Sequence, residues 1–141
     1  MQDTNDYGGQ PYVVNIEDIT KENEKFRVAK WTGSNLQMTL MSIPVNGEVG
    51  HEVHNDHDQF LRVEEGTAKV VMGQAEDNLD FERVAEDDFV ILVPAGTWHN
   101  IINTGDKPLK LYSLYAPAEH PKGTIHETYE EAMAAEAEHH Q

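Results

Sequence analysis

The chain has 141 residues, about the size of one domain, so we expect a single hydrophobic core. Asp and Glu number 26 against 10 Lys and Arg, which gives a formal net charge of −16. Phosphate binding needs clustered cations, so this charge excludes nucleic acid and anionic membrane surfaces as expected partners. The absence of cysteine excludes disulfides, thiolate metal sites and a cysteine nucleophile.

The first residues, MQDTND, lack the basic and apolar regions of a signal peptide. No apolar run in the sequence approaches the length that spans a membrane. We therefore expect a cytoplasmic protein that makes no membrane contact.

Residues 1–11 are polar and Gly-rich, which predicts a flexible arm. Ten short runs rich in β-branched and aromatic residues follow, separated by turn signals that contain Gly, Pro and Asp. The runs are 12–16, 26–31, 36–43, 48–54, 59–64, 68–72, 81–84, 89–93, 98–102 and 109–115. Many short strands with no helical period between them predict an all-β sandwich or barrel of antiparallel sheets.

Three segments carry more specific patterns. Apolar and polar residues alternate over 36–40, which predicts a half-buried strand. Residues 89–93 are apolar throughout, so we expect both faces of that strand to be covered. Only the tail has a helical pattern: residues 128–131 resemble a capping box and lead into an Ala/Glu helix that ends near Glu138.

Four polar side chains are predicted to converge inside the barrel. Glu52 and His54 are two apart on a predicted strand and therefore share a face. Gln59 opens the next strand on its apolar side, and His99 follows the tight-turn signal at 94–96. Because a barrel brings the beginnings of distant strands together, we expect one polar cluster in an apolar interior.

This cluster has the chemistry of a metal site. Two imidazole nitrogens, a carboxylate oxygen and an amide oxygen suit one divalent ion of Zn, Mn, Fe, Ni or Co. The predicted metal ligands are Glu52, His54, Gln59 and His99. The alternatives are buried histidines bonded to backbone carbonyls, a solvated glutamate, and a glutamine that only orients water. His57, in the turn, is a backup ligand, and so is His51, which only a one-residue register slip would turn inward.

Residues 47–66 (GEVGHEVHNDHDQFLRVEEG) and 94–103 (PAGTWHNIIN) resemble the two motifs of the cupin superfamily. The second segment matches the pattern P-x-G-x-x-H-x-x-x-N at every fixed position, although the usual Gly six residues before the Pro is Asp88. The first keeps the Gly at both ends and the spacing before the second Gly. The resemblance extends over about 36–117 and implies a small single-domain cupin (cupin 2 type), an all-β jelly-roll barrel with a short C-terminal helix.

The resemblance also implies a ligand set. The family's metal ligands fall on Glu52, His54, Gln59 and His99, and two of the four differ in type from the usual three His and one Glu. Segments 31–37 (WTGSNLQ) and 119–124 (EHPKGT) are similar to a bacterial subgroup labelled mannose-6-phosphate isomerase-like. Phosphomannose isomerases hold zinc through a Gln-x-His pair, a Glu and a His, which this chain resembles with Gln and Glu exchanged. The Lys and Arg residues, however, form no cluster for a sugar phosphate.

We expect residues 1–141 to form one cupin domain. Its parts are the arm 1–11, N-terminal strands 12–35, a barrel core 36–117 with both motifs, and a tail 118–141 with the helix. Small open barrels have edge strands that need cover, so we expect a homodimer with segment 12–31 exchanged between copies. His120 and His126 lie in the Pro- and Gly-rich tail, where we expect exposed side chains unless the tail folds back over the pocket.

The functional prediction is a metal-dependent enzyme acting on a small sugar-like or carbonyl metabolite. The reaction is an isomerisation, an epimerisation or, with iron, dioxygen chemistry. Glu52, where it is not bound to metal, is the predicted catalytic base for moving a proton next to a carbonyl. The alternative is a non-catalytic module that binds a small sugar or metabolite, with a structural metal or none, because fold does not fix function.

Overall fold

A computed structural model describes residues 2–139 of the chain. This part contains helices α1 (Ile16–Glu22) and α2 (Tyr129–His139). Its strands are β1 (Arg27–Thr32), β2 (Gln37–Ile43), β3 (Asp58–Glu65), β4 (Ala68–Gly73), β5 (Phe81–Ala85), β6 (Val90–Val93), β7 (Trp98–Asn103), β8 (Leu109–Ala116) and β9 (Ile125–His126). No helix within residues 2–139 is long and apolar enough to cross a membrane.

The strands form two antiparallel sheets. The larger has the order β6-β3-β8-β2-β1-β9 and the smaller the order β5-β4-β7. Alternate residues of both sheets, such as Leu61 and Val63 of β3 and Ile101 of β7, build one buried core. The fold is therefore an all-β jelly roll with a short C-terminal helix, as predicted, and its interior is where inward-facing polar residues must meet.

The predicted strand at 12–16 is wrong. The chain has no regular structure at residues 11–15 and then begins α1 at Ile16. Asn15 caps the helix, since its side-chain oxygen accepts from the backbone N–H of Asp18 at 3.0 Å. The cap, together with Glu17 and Asp18 in the first turn, outweighs the β-branched residues that predicted a strand.

The predicted strand at 48–54 is instead a loop with two isolated backbone bridges to β7, Glu48 to Ile102 and Glu52 to His99. Gly50 lies between the bridges with a φ of +105°, which interrupts a regular strand. Its N–H donates to the side-chain oxygen of Asn100 on β7 at 2.8 Å rather than to a backbone carbonyl of that strand. The loop is therefore held against β7 at discrete points, one of them in the predicted metal site.

Strand β6 is covered on one face only, against expectation. Ile91 and Val93 are buried, whereas Val90 is 49% exposed and Leu92 is 63% exposed. β6 lies at one edge of the large sheet, and nothing among the described residues packs over its outer face. The all-apolar sequence of this strand thus reflects an apolar outer surface rather than a second internal layer.

Both ends of the chain pack against the barrel. In the expected flexible arm, the N–H of Tyr7 donates to the Lys30 carbonyl of β1 at 2.9 Å. At the other end, Thr128 caps α2, accepting from the N–H of Glu131 at 3.1 Å, as the capping box predicts. Ala132 of α2 is fully buried in the core.

Candidate metal centre

The site is built on the backbone bridge between the loop before β3 and strand β7. The N–H of Glu52 donates to the His99 carbonyl at 3.0 Å, and the N–H of His99 donates to the Glu52 carbonyl at 2.9 Å. Residues that exchange both hydrogen bonds lie directly opposite each other, so their side chains share one face. The bridge thus brings together two predicted ligands that are far apart in sequence.

Glu52, His54 and His99 form a compact buried cluster. Nε2 of His54 lies 3.2 Å from Oε2 of Glu52. One ligand atom from each of the three residues lies within 4.8 Å of the others, and the three are 7%, 8% and 1% exposed. Ligands bound to one small divalent ion at about 2.0–2.2 Å lie about 3 Å apart, so these three side chains have the spacing of a metal site.

Four buried atoms at this position lack a hydrogen-bond partner within residues 2–139. They are Nε2 of His99, Oε1 of Glu52, Oε1 of Gln59 and Nε2 of His54, whose 3.2 Å approach to Oε2 of Glu52 does not have the angle of a hydrogen bond. Leaving a buried polar atom unpaired costs about 1–3 kcal/mol, so several together need an explanation. Gln59 donates through its amide nitrogen to Oγ of Ser113 at 3.4 Å, which leaves free the oxygen that binds metals. The four side chains therefore fit one divalent transition metal.

The family follows from comparison with known proteins. Residues 39–115, more than half of the chain, match the family model of the cupin domain. The chain is a cupin.

Known relatives of this cupin align with most of its chain. It is 56% identical over 131 residues to the uncharacterized protein YrkC of Bacillus subtilis, covering 93% of this chain and 70% of that protein. It is 41% identical over 117 residues to the uncharacterized protein L612 of Acanthamoeba polyphaga mimivirus, covering 82% and 71%. The crystal structure of BH2720 from Bacillus halodurans superposes with a TM-score of 0.91 at 60% identity, covering 92% of this chain and 98% of that one.

In this cupin the backbone fixes the tautomer of His99. Nδ1 of the ring lies 3.0 Å from the carbonyl oxygen of Thr97, an acceptor, so Nδ1 carries the proton. Burial lowers the pKa of His99, against smaller opposing effects from the Thr97 carbonyl and the charge of Glu52. The ring is therefore neutral at pH 7, and its Nε2 lone pair points into the cluster.

A buried cation lies behind Glu52. Arg27 is fully buried, and its Nη2 lies 3.6 Å from Oε1 of Glu52. Burial raises the pKa of Glu52, but the contact with His54 and the charge of Arg27 outweigh burial and lower it. Glu52 is thus ionised, as a metal ligand must be, and its role as the catalytic base stays a prediction.

The two backup ligands differ. His51 is exposed and lies outside both groups of side chains that can hold a metal among the described residues. His57 is 6% exposed and belongs to a second group with His54 and Glu119.

The tail folds back, so the expectation of exposed histidines is wrong. His126 is 7% exposed, and its Nδ1 lies 3.2 Å from Nη1 of Arg27. The His120 ring contacts Tyr115 edge-on, with centroids 5.4 Å apart. Burial and the charge of Arg27 lower the pKa of His120 to about 3, so the ring is neutral. Both tail histidines line the interior beside the metal cluster.

Three residues of the site region were not predicted from the sequence. They are Arg27, Glu119 and Glu136. Arg27 had a visible signal, since it is a charged residue within the predicted strand 26–31. Glu119 had no signal beyond its place in residues 119–124, the tail segment that is similar to a bacterial subgroup of the family. Glu136 lies on α2 near Glu52, and burial and the charge of Glu52 raise its pKa to about 7.

Proposed function

We propose that this cupin is a metal-dependent enzyme that binds one divalent transition metal through Glu52, His54, Gln59 and His99. Its substrate is a small sugar-like or carbonyl metabolite, and the reaction is an isomerisation or epimerisation, or an oxygenation if the metal is iron. The observation that carries the proposal is the set of four buried, unpaired ligand atoms that converge on the Glu52–His99 bridge.

The protein's own residues prepare the site. The Thr97 carbonyl directs Nε2 of His99 inward, and Arg27 keeps Glu52 ionised. A divalent ion, when bound, polarises a carbonyl or enediol oxygen. Apolar side chains such as Leu61 and Ile101 exclude water from the surrounding core. Glu52 carries one negative charge, so a site built on these four residues remains net cationic toward an oxygenated ligand.

The finer label, mannose-6-phosphate isomerase-like, has weaker support. A sugar phosphate needs a cation free to bind the phosphate. Arg27, the cation beside the cluster, already lies against Glu52 and His126. Among the described lysines, Lys110 is buried and donates to the backbone carbonyl of Asn23. We therefore propose an unphosphorylated substrate.

Proton exchange tests this function without knowledge of the product. Metal-loaded protein is incubated in D₂O with a panel of small aldoses, ketoses and 2-oxo acids, and deuterium at the carbon next to the carbonyl is followed by NMR. We expect exchange into one substrate class, lost in His99→Ala and retained in His51→Ala. Ligands that raise the Tm with no exchange and no new product would instead indicate a binding module.

A further inference from the structure

A second cluster of metal-binding side chains lies next to the first. It consists of His54, His57 and Glu119, one ligand atom of each lying within 4.8 Å of the others. We propose that this cluster is a second divalent-metal site, which takes Zn²⁺ through Nδ1 of His54, Nε2 of His57 and the carboxylate of Glu119. The site goes beyond the proposed function and shares only His54 with it.

The separations between the atoms fit a shared ion. Oε1 of Glu119 lies 3.4 Å from Nδ1 of His54, and Oε2 of Glu119 lies 3.1 Å from Nε2 of His57. These values match the spacing of about 3 Å between ligands of one zinc ion. Two His and one Glu are also a ligand set found in zinc enzymes. His54 directs Nε2 to Glu52 and Nδ1 to Glu119, and it serves both clusters at once by releasing both ring protons to solvent and bridging the two ions as an imidazolate.

His57 is a buried side chain whose ring has no satisfactory partner. The side chain is 3% exposed, and neither ring nitrogen makes a hydrogen bond of acceptable geometry to any described residue. Nδ1 lies 3.0 Å from Oδ1 of Asp56, and Nε2 lies 3.1 Å from the Glu119 carboxylate, but neither contact has the angle of a hydrogen bond. A buried imidazole whose ring nitrogens make no hydrogen bond is a side chain that a bound ion would satisfy.

Gln37 holds the backbone that carries the Glu119 carboxylate. The side-chain oxygen of Gln37 accepts from the N–H groups of Glu119 and His120 at 3.1 and 3.0 Å, and its amide nitrogen donates to the His120 carbonyl at 2.8 Å. Gln37 is itself fully buried on β2. A cavity of about 490 Å³, lined by residues 53–57, Ala118 and Glu119, lies beside the cluster and gives an ion access to it.

Zinc stoichiometry tests the site. Protein and variants are dialysed against buffered Zn²⁺, and bound zinc per chain is measured by elemental mass spectrometry, with circular dichroism to check the fold. We expect His57→Ala and Glu119→Ala each to lose about one equivalent relative to the unaltered protein. His54→Ala should lose two, and His51→Ala, an exposed histidine of the same loop, should lose none.

The outcomes separate this site from the first. Unchanged zinc in both His57→Ala and Glu119→Ala would overturn the second site and leave an ion-pair cluster that only orients His54. If His57→Ala unfolds, Glu119→Ala decides alone, because it removes both side-chain oxygens, whereas the amide oxygen in Glu119→Gln could still bind zinc as that of Gln59 is proposed to do. Loss in these two variants with no loss in His99→Ala would support the second site while contradicting the proposed function.

Discussion

At the scale of single residues, the pair of Arg27 and Glu52 sets the charge of the site. Arg27 is 0% exposed, and the carboxylate of Glu52 lies 3.6 Å from its guanidinium. A buried charge destabilises the fold much less when a charge of opposite sign lies beside it than when it is unpaired. The ion pair of Arg27 and Glu52 thus stabilises the metal-free site. A bound metal cation would give the Glu52 carboxylate a second positive partner.

We predict that Arg27→Met destabilises the metal-free protein by about 3 kcal/mol, because it leaves the Glu52 carboxylate buried without its cation. Urea unfolding measures the loss, with the exposed Arg83→Met as control. Added divalent metal should raise the Tm of Arg27→Met more than that of the unaltered protein, since the ion supplies the missing positive charge. An equal rise in both would contradict the account of the pair.

Motif spacing predicted that Glu52, His54 and His99 lie together, although only His99 lies on a regular strand, and Glu52 and His54 lie in a loop that bridges to β7 at Glu52. The contacts of Arg27 and Glu119 could not be predicted in this way. Each depends on a distant partner: Arg27 lies against His126, and Glu119 lies against His54. Local sequence carries no signal for such pairs. The role of Gln59 as a ligand stays a prediction.

At the scale of elements, the N-terminal arm is fastened to the barrel by one carboxylate. Asp6 accepts from the N–H groups of Gly8, Thr32 and Gly123 and from the Thr32 hydroxyl, at 2.6–3.0 Å. One side chain thus joins the arm, the end of β1 and the turn before β9. Burial raises the pKa of Asp6, but these hydrogen bonds outweigh burial, so its pKa lies below the ordinary 3.8.

Asp6→Ala should lower the free energy of unfolding by about 2 kcal/mol at pH 7, because hydrogen bonds to a charged acceptor are lost. A lowered folded pKa gives stability that is fully present above the unfolded pKa and lost as pH falls through the folded pKa. The difference from the unaltered protein should therefore stay constant down to about pH 4 and shrink below 3.8. Urea titrations across this pH range measure the difference in unfolding free energy, with the exposed Asp77→Ala as control. A difference that persists undiminished below pH 3.8 would contradict the lowered pKa of Asp6.

Elements with strong alternation were predictable, and the exceptions have identifiable causes. The strands from β2 to β8 begin and end close to where their apolar runs do. The first helix was missed because its cap at Asn15 follows a β-branched run. The loop at 48–54 was predicted as a strand because composition does not reveal the positive φ that Gly50 adopts. The position of the tail depends on Gln37, which lies 82 residues before the Glu119 that it bonds.

At the scale of the whole molecule, the large sheet presents an apolar row to solvent. Strand register aligns Leu92, Phe60, Leu114, Met38 and Trp31 across five neighbouring strands. The loop before α1, in which Val13 is fully exposed, borders the same surface. A contiguous apolar surface of this kind is typical of an interface, and its extent favours a second copy of the chain.

We therefore predict a homodimer that buries this row. Light scattering should give twice the chain mass of 15.9 kDa for the unaltered protein and the single mass for Leu92→Glu. Leu92 is 63% exposed within one chain, so the substitution should leave the fold intact. Val84→Glu on β5, at a residue 57% exposed, is the matched control and should remain dimeric. A dimer that survives Leu92→Glu would place the interface elsewhere.

The central claim is that Glu52, His54, Gln59 and His99 hold a divalent transition metal. Metal content, measured by elemental mass spectrometry on protein purified without an affinity tag or chelator, tests it most directly. The account predicts a bound transition metal, with about one equivalent lost in His99→Ala and none lost in His51→Ala. Protein that takes up no metal after incubation with Mn, Fe, Co, Ni and Zn would contradict it.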